Sequence, residues 1–142
     1  MSDTIKLLQE CNAGIKMGID AIDKVLSHVR DDEFKDKLGN YKKDYNYLQD
    51  EIDAYLKEFD VEGKNPDIFI KGMATIKTEI KIALNDTDAT IADLMTDGCH
   101  MGVKGLNRYL NEYTQATDRA KELTKKLIRL MDRQEFDLRK YL

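Results

Sequence analysis

IKLLQECNAGIKMGIDAIDKVLSHV, residues 5–29, places Ile5, Leu8, Asn12, Ile15, Ile19, Ile22, Leu26 and Val29 three and four residues apart. That spacing lays them along one face of a long helix, with Asn12 the only polar member. Downstream, Phe34, Leu38, Tyr41, Tyr45, Leu48, Ile52, Tyr55 and Phe59 repeat the pattern without a break. Asp31 and Asp32 stand between the two runs, where their carboxylates can cap the second helix and complement its dipole. Two antiparallel helices joined by a tight turn follow.

The stretch DVEGKNPD, residues 60–67, carries the single proline with a glycine and an asparagine, a cluster that marks a loop and a new helix start. A shorter amphipathic run follows with Phe69, Met73, Ile76, Ile80, Ala83 and Leu84, read as a connecting helix. Asn85-Asp86-Thr87 can close it and cap the next. The third main helix carries Ile91, Met95, Cys99, Gly102, Leu106, Tyr109, Leu110 and Tyr113 on its apolar face. The fourth carries Ala120, Leu123, Leu127, Leu130, Met131, Leu138 and Tyr141. The predicted helices span about 3–29, 32–60, 67–85, 88–114 and 116–141 of one domain, residues 1–142.

The halves repeat faintly. Cys11-Asn-Ala-Gly14-Ile-Lys16 matches Cys99-His-Met-Gly102-Val-Lys104, and Ala54-Tyr55-Leu56 parallels Lys140-Tyr141-Leu142. At 1.5 Å per residue the main helices are roughly 40 Å long and the connecting helix about 27 Å, enough to cross most of the bundle. With the first helix up and the second down, such a crossover returns the chain to the top. The third helix then runs down and the fourth up, with a pseudo-twofold between hairpins. The fold class is thus all-α, a four-helix bundle of two antiparallel helical hairpins joined by a long crossover containing a short helix. In this arrangement, and in the stretch DTDATIADLMTDGCHMGVKGLNRYLNEYTQATDRAKELTKKLIRLMDRQEFDLRKYL, residues 86–142, the chain resembles small bacterial ferritin-like proteins of unknown function.

Composition narrows the function classes. The chain has 142 residues, 23 Lys+Arg against 27 Asp+Glu and a net charge of −4, without the basic footprint that nucleic acid binding requires. No window of ~18 consecutive apolar residues and no export signal is present, so neither membrane nor secretion is expected. The expected location is the cytoplasm, with Cys11 and Cys99 as reduced, buried thiols. The acids of the second helix and the bases of the fourth would pair favourably as neighbours.

Iron-binding ferritin-like proteins set a Glu on each of two helices and a Glu-x-x-His on each of the other two. No Glu-x-x-His occurs here: Val25 stands three residues before His28, and Asp97 three before His100. Equal-length helices put Ile15, Gly18, Ile19, Tyr45, Leu48, Met101, Gly102, Leu127 and Leu130 in the middle layer, which is apolar. The resemblance therefore implies the fold and not the ferroxidase chemistry. An off-centre single-metal reading names Asp97, His100 and Glu135. Its plainer alternative sets Glu135 at the seam edge and His100 in solvent or a local hydrogen bond. His28 lies beside a helix C-terminus, where positive charge is favourable.

Helix-interior glycine costs ~1 kcal/mol against alanine. Gly14, Gly18, Gly98, Gly102 and Gly105 therefore need an offset, and the first reading is close packing between the antiparallel first and third helices. A ligand groove lined by Met17 and Met101, or a seat for another subunit, are the other two. No nucleophile–base pair, glycine-rich phosphate loop or paired inward carboxylate appears. The expectation is no enzyme, no cofactor and no metal. The leading function is a non-catalytic bundle that associates with itself or with a protein partner. A divergent metal binder and a small-molecule carrier are the alternatives.

Overall fold

The computed structural model describes residues 2–59 and 87–142. Four helices form: α1 over Ser2–Leu26, α2 over Asp32–Lys57, α3 over Asp88–Glu112 and α4 over Asp118–Leu138, followed by a single 3-10 turn over Arg139–Tyr141. No strand occurs among the described residues. The predicted loop at 60–67 and connecting helix at 67–85 lie outside the described residues.

Capping fixes where the helices begin. Asp31 accepts the Phe34 N–H at 2.9 Å, and Thr117 accepts that of Ala120 at 3.2 Å. Thr87 accepts the Thr90 N–H at 3.4 Å. α1 stops at Leu26, three residues short of the predicted end, because the Val25 carbonyl takes the N–H groups of both His28 and Val29 and bends the chain. Val29 still turns inward and is buried.

Helix direction follows from what the ends touch. The Asp88 carboxylate at the start of α3 accepts the backbone N–H groups of Arg30 and Asp31, each at 2.9 Å. α3 thus begins at the α1–α2 turn. At the other end, Asp3 accepts the Gln115 N–H and the Thr4 hydroxyl accepts that of Thr117, both at 2.9 Å. α4 thus begins beside the start of α1. With α1 up, α2 and α3 run down and α4 runs up, as the sequence predicts. Each hairpin turn is satisfied by the first turn of the other hairpin's leading helix. Their tail tyrosines are exchanged likewise: the Tyr55 hydroxyl meets the Thr117 hydroxyl at 2.9 Å, while Tyr141 stacks on Phe34 at 4.4 Å between centroids.

Within the bundle α1 packs on α2, α3 and α4, and α4 on α2 and α3. The core is one cluster that includes Leu7, Leu8, Ile15, Ile22, Phe34, Leu38, Ile52, Ile91, Leu123 and Leu127. Along α2–α4, acids on one helix meet bases on the other: Glu51 with Arg119 at 3.3 Å and Lys126 at 2.8 Å, and Asp44 with Arg133 at 3.1 Å. Glu33 meets Lys140 of the terminal turn at 2.8 Å. This is the pairing expected from the charge bias. Such exposed pairs contribute ~0–1 kcal/mol each and mainly select the antiparallel register.

Candidate functional site

The middle layer departs from its sequence reading most at one residue, with Ile19 only partly buried. Ile15, Tyr45, Leu48, Leu127 and Leu130 are buried there as expected, but Met101 is 69% exposed and Met131 of α4 fills the interior instead. The core-facing side of α3 is set by Ile91, Met95, Cys99 and Leu106. At ~100° per residue, Met101 lies two steps beyond Cys99 and points away from the core.

Met131 also accounts for two of the glycines. A Cβ on Gly14 would lie 3.8 Å from Met131 Cε, and one on Gly102 would lie 2.7 Å from Met131 Sδ. α1 and α3 do not touch glycine to glycine: the Met131 thioether of α4 lies across both positions. Gly18 takes the face of the Tyr45 ring, whose Cζ would lie 3.7 Å from an added Cβ. Gly18–Tyr45 in one hairpin and Gly102–Met131 in the other are equivalent contacts. Gly102 therefore corresponds in packing to Gly18, one turn on from its sequence match Gly14. Around Gly98 and Gly105 nothing among the described residues lies within 4 Å of an added Cβ.

Of the three candidate metal residues, two meet. His100 Nε2 lies 3.1 Å from Glu135 Oε1, whereas Asp97 is exposed and joins neither. Arg139, one turn along, donates Nε and Nη2 to the two oxygens of Glu135 at 2.9 and 2.8 Å. The Arg139 hydrogen bonds, with a smaller contribution from His100, hold the Glu135 carboxyl below its ordinary value. The carboxylate is thus engaged by three nitrogens from two residues. Among the described residues no three His, Cys, Asp or Glu side chains converge as a metal site would require.

Buried and part-buried polar contacts join the helices within the largely apolar interior. Thr124 donates its hydroxyl to the Ala120 carbonyl at 2.8 Å, so the Cys11 thiol, 3.2 Å away, is the donor to Thr124 Oγ1. Asn12 donates to Asp53 at 2.5 Å. Tyr45 donates to Gln134 and Tyr41 to Asp137, with the Arg133 guanidinium over the Tyr41 ring. The available signal was Thr124 and Gln134, polar residues at core spacing on α4. Both thiols are pushed up to about 12, by burial first; the Glu135 and Asp132 carboxylates add to this for Cys99. Glu10, hydrogen-bonded to Tyr109, is raised by burial and by the Glu112 charge.

Among the described residues no helix is long and apolar enough to cross a membrane. No protein-family model matches the chain, and no curated protein or solved structure does.

Proposed function

We propose that the chain is a non-catalytic, ferritin-like bundle of the small bacterial type, cytoplasmic, that acts by associating with itself through the outer face of α3. One observation carries this reading. Met101 is exposed between Gly98 and Gly105, helix-interior glycines that meet nothing among the described residues. Each costs ~1 kcal/mol in the isolated helix. Elsewhere in the bundle Gly14, Gly18 and Gly102 have a side chain laid over them; Gly39 of α2 is open as well, but Gly98 and Gly105 flank an exposed methionine, so an approaching surface is their natural offset. The polar groups of the interior support the same reading, since Tyr41, Tyr45, Cys11 and Glu135 are hydrogen-bonded within the fold and Cys99 is buried, which leaves none of them an activated nucleophile. Light scattering coupled to size separation tests it: the mass should rise above that of one chain with concentration. A strict monomer up to millimolar concentration overturns it.

A further inference from the structure

The outer face of α3 has a charge order that matches its own reverse. Asp93, Asp97, Met101, Lys104 and Arg108 are all exposed. At ~100° per residue they fall within a sector of roughly 80°, opposite the buried Ile91, Cys99 and Leu106. The sector reads acid, acid, methionine, base, base along about 22 Å of helix. Among the described residues none of the four charges enters an ion pair. On α2 and α4, by contrast, complementary acids and bases at the seam have found one another.

We infer that this sector is the contact for a second copy of the chain, with the two α3 helices packed antiparallel about a twofold axis that passes between His100 and Met101. That inference rests on the self-association proposed above and specifies its geometry. One crossing point sets Asp97 against Lys104 of the second copy and Asp93 against its Arg108, and the axis repeats both pairs. Four opposite-charge contacts then flank a central pair of methionines. A parallel alignment would set acid on acid and base on base. Gly98 and Gly105, on the shoulder of the sector, leave room for close approach. An isologous contact requires a patch complementary to itself under reversal, and this sequence meets that requirement at both charged pairs. Complementary charges here select orientation more than they add affinity, so the dimer should weaken with salt.

Charge reversal tests the register. Sedimentation velocity at low salt compares the native chain with Asp97→Lys, Lys104→Asp and the double variant, with circular dichroism confirming helix content. Each single reversal places like charges together twice and should weaken the dimer at least tenfold, and the double variant should return to within threefold of native. As a second reading, Met101→Cys should form an intermolecular disulfide under mild oxidation, and Tyr47→Cys on the exposed side of α2 should not. If the native chain dimerises but the single reversals leave it unchanged, or the double variant stays as weak as the singles, the α3 pairing is wrong and self-association stands on another face. A native chain that stays monomeric overturns both.

Discussion

Gly102 lies beneath Met131, so closely that a Cβ on the glycine would sit 2.7 Å from the sulfur and 3.1 Å from the terminal methyl. The thioether can move, but it is buried, and its methyl also rests on Gly14. Gly102→Ala should lose more by overpacking than it gains in helix propensity, for a net destabilisation of about 1 kcal/mol. In a Met131→Ala background the same change should become stabilising. Gly98→Ala and Gly105→Ala, with open space around them, should each stabilise the dilute protein by about 0.5–1 kcal/mol. Urea midpoints of the variants decide; equal effects at all three glycines would refute the Met131 contact.

Asp88 joins the two hairpins through backbone N–H groups that have no helical carbonyl to meet. Asp88→Ala should cost about 1 kcal/mol, since Arg30 and Asp31 both lose a charged acceptor although water can reach their exposed N–H groups. Asp88→Asn keeps one acceptor oxygen and should cost about half as much. Thermal melts at neutral pH check the order.

Tyr45→Phe strands the Gln134 side chain, which is 2% exposed. The expected loss is about 1–3 kcal/mol. Tyr41→Phe should cost less, because the Asp137 carboxylate it leaves is only half-buried and water can replace the phenol. Equal penalties for the two would mean that the Tyr45–Gln134 bond is not shielded from solvent.

Two carboxylates should shift the pH profile in opposite directions. Glu135 is held below its ordinary value by Arg139, so its contribution is present above the unfolded-chain value and fades as pH falls through the lower folded value. Glu135→Gln should therefore destabilise at pH 7 and converge with the native chain in acid. Glu10 is raised by burial, with Glu112 adding to the rise, so the folded state binds its proton more tightly than the unfolded chain does. Its charge opposes folding at neutral pH. Glu10→Gln, which can still accept from Tyr109, should stabilise at pH 7, and the gain should vanish as pH drops through that raised value. Denaturation at a series of pH values separates the two; curves of the same sign would contradict the assignment.

Neither cysteine should react while the chain is folded. At values of about 12, on the order of one thiol in 10⁴ is ionised at pH 8, and both are buried besides. Modification by a chromogenic disulfide should track the unfolding rate, with two thiols titrating together in denaturant. A fast single-thiol phase in the native protein would show that Cys99 reaches solvent.

What the amino-acid order determined by itself is local. The three-and-four spacing from Ile5 and from Phe34 makes helices, Asp31 and Thr117 start them, and the acid-rich second helix is made to lie against the base-rich fourth. These need only the helix period, capping chemistry and the sign of charge, all of which act over a few residues or tolerate coarse geometry. The tertiary structure alone decided how each helix is rotated and which atoms meet across it. Met131 and not Met101 fills the layer, Gln134 and Thr124 take interior hydroxyl and thiol partners, and Arg139 claims both oxygens of Glu135. Rotation by a single residue turns a helical side chain by ~100°. That choice is made by close packing summed over four helices far apart in the chain, which periodicity along any one of them does not encode.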